Sequence, residues 1–211
     1  TAYNMDQSGF TLGYGIPVTE KTRVSASLSY KYTVIKDYKN SIASPSVTEF
    51  MSEYPAPYNQ IIAALGWSYD SRDRFPFAED GQLQSVNLTY GVPIRNTKFR
   101  SLGYYKLNYS AQYYFPLTRG FILSPSYDLN VGSGVGGYDS LPFFENFYGG
   151  GVTSLPSFSA GSLGPENPNN AGESLGGNLS TIGRLNLILP RFINDNVRTA
   201  LFVGAGNVFQ T

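Results

Sequence analysis

Residues 22–35 read TRVSASLSYKYTVI and form the most regular alternating run in the chain. Apolar side chains occupy every second position, at Val24, Ala26, Leu28, Tyr30, Tyr32 and Val34. The positions between them carry Arg23, Ser25, Ser27, Ser29, Lys31 and Thr33. A period of two is typical of a β-strand with one apolar and one polar face. The run is longer than the roughly five or six residues of a globular strand and suits a tilted membrane-crossing strand of about 9–11 residues.

Seven further runs repeat this alternation, at 8–17, 58–71, 85–92, 105–115, 121–131, 179–190 and 197–209. Longer connections, long at 36–57 and 130–178 and moderate at 93–102, alternate with shorter ones at 18–21, 71–81, 116–120 and 191–196. Aromatic residues stand near the ends of several runs, at Tyr14, Tyr30, Tyr32, Tyr69, Tyr90, Phe115 and Phe121. Outer-membrane barrels combine these features, with tight periplasmic turns, longer extracellular loops and aromatic girdles. We therefore predict an all-β, antiparallel transmembrane β-barrel, or an eight-stranded segment of one.

A soluble β-sandwich is the alternative, because its strands alternate as well. The two length classes of the connections and the Ser, Asn and Gly of the polar faces favour the barrel. The sequence begins at Thr1 without a signal-peptide pattern, and no closing strand with an aromatic carboxyl end follows 197–209. We therefore expect residues 1–211 to be one mature or excised barrel segment, with a long loop at 132–178.

The amino-acid composition argues against several classes of catalysis and binding. The 15 basic residues balance the 15 acidic ones, which gives no argument for a nucleic-acid partner. There is no Cys and no His, so Ser-His-Asp and Cys-His nucleophiles and His- or Cys-ligated metals are excluded. We expect no cofactor and no metal. The chain also has no apolar run long enough for a membrane-spanning helix.

The long loop contains an aromatic knot, Phe143, Phe144, Phe147 and Tyr148, which a disordered linker would lack. We expect the loop to pack toward the barrel interior, and Gly132 to Gly137 to let backbone approach backbone there. Phosphate binding by these glycines is disfavoured, since no Lys-Ser/Thr pair follows. Asp139 and Glu145 form a conceivable carboxylate pair for glycoside chemistry, although nothing fixes their separation.

The densest charge cluster is the turn formed by Asp70, Arg72, Asp73, Arg74, Glu79, Asp80 and Gly81. It is either a site for a periplasmic partner or a solvated turn with local ion pairs. A second set of charges lies on the predicted interior faces, at Arg23, Lys31, Lys106, Asp128 and Arg184. These side chains either select ions or are the ordinary polar lining of a barrel.

Three stretches carry a family resemblance. Residues 69–74 and 77–81, YDSRDR and FAEDG, resemble the strand-turn-strand signature of the BamA family of outer-membrane assembly proteins. Residues 142–151 and 161–165, PFFENFYGGG and GSLGP, resemble its sixth extracellular loop. Residues 197–208, VRTALFVGAGNV, resemble the strand after that loop. The resemblance implies a barrel of sixteen strands, of which this chain would supply about strands six to thirteen.

The resemblance also implies a loop motif, Val/Ile-Arg-Gly-Phe/Tyr, which falls on Leu155, Pro156, Ser157 and Phe158. Only Phe158 matches the motif fully. In the family the Arg meets acidic residues of the next two strands, at positions that are Asn186 and Gly204 here. All three charges are absent together, which leaves no buried carboxylate without its partner. We infer a divergent lineage or a redesign.

The function implied by the resemblance is the folding and insertion of other β-barrels, without catalysis, in the outer membrane of a Gram-negative bacterium. The implied partners are membrane lipid, client outer-membrane proteins and, in the full-length protein, lipoproteins of the assembly complex. The periplasmic domains of the family and the seam between its first and last strands lie outside this chain. The alternatives are a passive pore or small structural barrel, a polypeptide secretion pore of the same superfamily, and a soluble carbohydrate-binding sandwich.

Overall fold

The computed structural model describes residues 4–36, 44–95, 100–190 and 197–211, with only the backbone of Arg95 and Arg100. Ten strands and one α-helix are defined in this part of the chain. The strands are β1 Asn4–Pro17, β2 Thr22–Lys36, β3 Tyr58–Asp70, β4 Gly81–Gly91, β5 Ile94–Arg95, β6 Arg100–Ser101, β7 Tyr104–Pro116, β8 Ile122–Gly134, β9 Leu179–Ile188 and β10 Ala200–Phe209. The helix is α1 Pro45–Glu53.

Eight of the strands form one antiparallel sheet in the order β1-β2-β3-β4-β7-β8-β9-β10. The predicted all-β antiparallel fold is confirmed. Within the described residues β1 and β10 do not pair with each other, so the sheet is open and its two edge strands each keep one unpaired side. The alternative in which eight strands close into a small barrel of their own is wrong for this structure.

The register sorts the side chains onto two faces. Phe10 lies opposite Tyr30, Leu12 opposite Leu28, and Leu28 opposite Ala63, so the apolar positions form rows across the sheet. This face is open to the surroundings, with Leu12 71% and Leu28 55% exposed. Since a continuous exposed apolar surface is stable only when something apolar covers it, the face has the character of a lipid-facing barrel wall.

The other face carries the polar rows, such as Thr11, Ser29, Asn87 and Asn108. Residues of the long loop pack against this inner face, around Ile182 and Val208. A second buried cluster lies at the end of the sheet from which the three long connections leave. The protein interior therefore lies between the polar face and the loop, not between two sheets.

Helix α1 is a correction to the loop predicted at 36–57. Ser44 caps its first turn, with its Oγ accepting the Val47 N–H at 3.3 Å, and Pro45 stands at the first helical position. Both residues are favoured at helix starts. The helix buries Val47 and Phe50 and has only nine residues, too few for a clear helical period to emerge from the sequence.

Other boundaries also differ from the prediction. Strand β1 begins at Asn4, four residues before the predicted start, β4 begins at Gly81, and β10 begins at Ala200, three residues after its predicted start. The loop predicted at 93–102 contains the short β5-β6 ladder. The predicted turn at 191–196 lies outside the described residues. No helix in the described part of the chain has the length and apolarity needed to cross a bilayer.

Candidate functional site

The long loop is an ordered element that begins at Val135, three residues after its predicted start at 132. Phe147 and Gly177 exchange two backbone hydrogen bonds of 2.8 and 3.0 Å, and the Leu163 N–H donates to the Gly149 carbonyl at 3.1 Å. These pairs fold the loop back on itself. The backbone of the long loop therefore follows a defined path. The loop packs on the inner face of the sheet, as predicted.

An aromatic cap joins this loop to the other two long connections. Phe143 packs edge-on against Phe50 at 5.6 Å between ring centroids, and Phe144 lies 5.5 Å from Tyr58. The buried members of the cap are Phe50, Tyr58, Leu102, Tyr104, Tyr138, Leu141 and Phe147. Aromatic pairs contribute about 0.5–1.5 kcal/mol each beyond their buried area. The cap therefore fastens all three connections over one end of the sheet.

The structure places three of the four predicted knot residues in this cap. Phe143 and Phe144 pack directly on its buried members, and Phe147 is itself buried. Tyr148 lies elsewhere: it is 50% exposed, and its ring borders Gly176. Alternation explains the difference, because neighbouring residues of an extended segment point to opposite sides.

A buried carboxylate ties the loop to two strands. Glu145 accepts from Lys31 Nζ of β2 at 2.6 Å and from Lys106 Nζ of β7 at 3.0 Å, and its side chain is 13% exposed. The Lys106 ammonium also lies 5.0 Å from the centre of the Phe147 ring. Burial by itself raises the pKa of Glu145, but the two ammonium groups have the larger combined effect and hold this pKa below its ordinary value.

The same contacts bear on the carboxylate pair considered for glycoside chemistry. Asp139 is exposed, whereas Glu145 is held ionised between two lysines. A carboxylate in that state does not supply the proton that cleavage of a glycosidic bond requires. The interior lysines therefore serve to hold the loop. Among the described residues, no group of three or more acidic, His or Cys side chains is placed to hold a metal.

The far end of the loop meets the sheet at β9 and β10. Leu155 is 3% exposed and packs with Leu163, Ile182 and Val208. A Cβ atom added to Gly204 would lie 2.6 Å from Leu155 Cδ2, so the absence of a side chain at Gly204 makes the hollow that Leu155 fills. The structure thus brings together two of the positions singled out in the sequence.

The remaining positions of the diverged motif do not join this contact. Pro156 and Ser157 are exposed, and Phe158 is 47% exposed. Asn186 faces the same side as Gly204 but donates from Nδ2 to the Ser124 carbonyl of β8 at 3.3 Å. The loop is therefore anchored through Leu155, one residue before the position that corresponds to the family's Arg.

Arg184 supplies a polar contact beside this anchor. Its Nη1 donates to the Thr153 carbonyl of the loop at 2.9 Å, and its Nη2 lies 3.7 Å from Asp128 Oδ2 on β8. The cation stands on the wall and the acceptor on the loop, the reverse of the arrangement that the resemblance implies. Strand alternation predicts Arg184 on the inner face, but nothing in the local sequence indicates its loop partner.

The charged turn between β3 and β4 is tightly organised. The Arg72 guanidinium makes two hydrogen bonds to Asp70, and the Asp73 carboxylate accepts the N–H groups of Glu79 and Asp80 at 2.8 and 3.1 Å. Burial acts to raise the pKa of Asp73, but those N–H groups and Arg74 outweigh it and lower this pKa to about 2. Gly81 has a φ of 98°, which favours glycine, and ends the turn.

One functional candidate in this turn was missed from the sequence. Arg198, which precedes β10, donates to the carbonyls of Phe77 and Ala78 at 3.0 and 2.8 Å and to Glu79 Oε1 at 3.1 Å. The turn is therefore not held by local ion pairs alone. Nothing in the local pattern distinguishes Arg198 from a solvated Arg, because its partners lie about 120 residues earlier.

Comparison with known proteins agrees with this architecture. The Omp85 superfamily domain matches residues 1–211. Outer membrane protein assembly factor BamA of Neisseria meningitidis serogroup B is 28% identical in an alignment 221 positions long, which covers 99% of this chain and 27% of that protein. The resemblance seen in the turn, loop and strand motifs is confirmed.

A solved structure shows the same fold. The crystal structure of BamA from Haemophilus ducreyi lacking POTRA domains 1-3 matches 99% of this chain with a TM-score of 0.85 and 23% sequence identity. The match covers 42% of that chain. The present chain therefore spans less than half the length of either relative.

Proposed function

Because the chain belongs to the Omp85 superfamily, we propose that it is the barrel portion of an outer-membrane protein assembly factor that helps fold and insert other β-barrels. The proposed location is the outer membrane of a Gram-negative bacterium. The observation that carries the proposal is an antiparallel sheet with an exposed apolar outer face and a loop-covered polar inner face. The name of the Neisseria relative, an assembly factor, supports it.

The proposed mechanism needs no catalytic side chain. An unpaired backbone group exposed to hydrocarbon costs several kcal/mol, on the order of the penalty for burying an amide without a partner. A client strand that enters the bilayer beside an available strand edge avoids this cost, because the edge supplies its hydrogen bonds. The barrel therefore lowers the barrier to insertion by offering backbone partners.

In this proposal residues 1–211 act as one barrel segment, and the loop acts as an internal brace. It connects β2 and β7 through Glu145, and β9 and β10 through Leu155. A braced wall keeps its shape while neighbouring strands exchange partners. Lipid, client outer-membrane proteins and assembly-complex lipoproteins are the proposed partners of the complete protein.

The test is reconstitution of the complete protein that contains this chain. It is placed in lipid vesicles, an unfolded client barrel is added, and client folding is followed by the shift in electrophoretic mobility between unheated and boiled samples. We expect client folding to be faster than in vesicles that hold the same amount of an unrelated folded barrel. Equal folding rates in the two preparations contradict the proposal.

The secretion pore of the same superfamily remains the competing function. It predicts that one exported polypeptide crosses the vesicle membrane and becomes protected from external protease, with no effect on the folding of barrel clients. The same vesicles serve for both assays. A steady open conductance with neither activity is the result expected of a passive pore.

A further inference from the structure

The guanidinium of Arg198 binds one short segment of a distant turn through four contacts. Besides its hydrogen bonds to Phe77, Ala78 and Glu79, its Cζ lies 5.2 Å from the centre of the Phe77 ring. The Arg198 side chain is 12% exposed, and Ala78 is 1% exposed. The planar guanidinium carries a fork of donors, which suits several acceptors held in fixed positions. We call these contacts the Arg198 clasp.

Contacts within the β3-β4 turn itself hold the acceptors of the clasp in place. The Asp73 N–H donates to the Asp80 carbonyl at 3.1 Å, which closes the base of the turn. The Asp73 carboxylate accepts the Glu79 and Asp80 N–H groups, and Arg74 contacts both Asp73 and Glu79. The oxygen acceptors of residues 77–79 are therefore already in fixed positions, so the binding of Arg198 costs little conformational entropy in this segment.

The two turns joined by the clasp are far apart along the sheet. Strands β7 and β8 stand between the β3-β4 hairpin and the β9-β10 hairpin. Four strand spacings of about 4.8 Å separate the centres of these hairpins, which is roughly 19 Å along the sheet. Hydrogen bonds between neighbouring strands leave the curl of a sheet adjustable, whereas a contact across several strands fixes it.

We propose that Arg198 is a positioning residue that sets the curvature of the sheet, and through it the position of the β9-β10 hairpin relative to the β3-β4 hairpin. At the turn end of the curved sheet, the clasp links two separated turns directly, as a chord links two points of an arc. At the opposite end, the loop braces the sheet through the aromatic cap. Without the chord, the β9-β10 hairpin swings relative to the β3-β4 hairpin. This proposal concerns the shape of the wall and holds whatever the barrel assembles or transports.

Distances between spin labels test the proposal in the complete protein, folded in lipid. This chain has no Cys, so labels attach only to introduced cysteines once any cysteine elsewhere in the protein is replaced by Ser. One pair replaces Phe75 and Val197, which are exposed and lie on the two clasped turns. We expect Arg198→Ala to shift the Phe75–Val197 distance to a longer and broader distribution.

Two controls separate the chord from a general loss of stability. The variant Arg119→Ala removes an exposed Arg from the β7-β8 turn, which lies at the same end of the sheet but outside the clasp, so it should leave the Phe75–Val197 distance unchanged. A label pair at Glu20 and Phe75 spans two turns that Arg198 does not join, and it should not respond to Arg198→Ala. The mobility difference between unheated and boiled samples shows that each variant is folded.

An unchanged Phe75–Val197 distance in folded Arg198→Ala protein overturns the proposal. An equal shift in Arg119→Ala overturns it as well, because the effect would then follow the loss of any Arg at this end of the sheet and not the loss of the clasp.

Discussion

At the residue scale, the Glu145 carboxylate joins the long loop to the inner face of the sheet. It stands between Lys31 and Lys106, and all three side chains are largely buried. Removal of one partner from a buried ion pair costs about 3–5 kcal/mol, because the remaining charge has no compensation. Here the loss of Glu145 leaves two ammonium groups facing each other without an anion between them.

We therefore predict that Glu145→Gln, which keeps the shape of the side chain, releases the loop from β2 and β7. The measurement is the rate at which protease cleaves the loop in the folded protein. Glu53→Gln is the matched control, since Glu53 lies on an exposed position of α1. Cleavage of Glu145→Gln at the wild-type rate would show that the ion pair does not hold the loop.

The pH dependence of the loop follows from the same site. The folded-state pKa of Glu145 is lowered, so its stabilising contribution is present above the ordinary carboxyl pKa of about 4.3 and is lost as the pH falls through the lower folded value. We expect wild-type protection of the loop to persist from neutral pH to about that value and to decline below it. Glu145→Gln should lack this acid transition, which an acid-active protease can detect.

At the scale of elements, the loop and the β9-β10 hairpin fit together through one side chain. Leu155 fills the hollow above Gly204 and is almost completely buried. Truncation of such a residue leaves a cavity and typically costs about 2–5 kcal/mol. Phe158 belongs to the same diverged motif but is 47% exposed, so its truncation should cost much less.

We predict that Leu155→Ala lowers the temperature at which the folded band is lost on heating, and that Phe158→Ala changes it little. Enlarging Gly204 should resemble Leu155→Ala, because its new side chain would occupy the same hollow. If Phe158→Ala proves the more damaging change, the loop is anchored through the aromatic residue, and the assigned contact is wrong.

At the scale of the whole molecule, the two faces of the sheet meet different solvents. Leu28 and Ser27 are neighbours on β2, and their partners place them on opposite faces. A charged side chain on the lipid face of a barrel costs about 2–4 kcal/mol near the bilayer midplane and much less toward the interfaces, whereas interior positions accept charge. Adjacent residues should therefore respond very differently to the same substitution.

We predict that Leu28→Arg is destabilising in lipid vesicles by up to that amount and that Ser27→Arg is nearly neutral. The free energy of unfolding in urea, measured from the mobility of unheated samples, makes the comparison. The opposite order of the two variants would mean that the polar face is the one in contact with lipid.

Much of the wall followed from the sequence, because strand alternation is a local property. Each of the eight predicted runs overlaps a strand of the sheet, and the main errors are at their ends and at α1. The short helix was missed since its Ser44-Pro45 start is also a common turn signal and its apolar positions are few. Within the site, the positions of Leu155 and Gly204 were singled out through a family motif that both fail to match.

By itself, the sequence determined which side chains face lipid, which face the interior and where the long loop lies. Apolar and polar residues alternate along each strand, and this pattern can be read from neighbouring positions. Only the tertiary structure decided that Leu155 fills the space above Gly204, that Glu145 joins Lys31 to Lys106, and that Arg198 binds the β3-β4 turn. Those contacts join residues from about 40 to 120 positions apart. Such pairs leave no periodic trace, because their geometry arises only when the sheet curls and the loop folds against it.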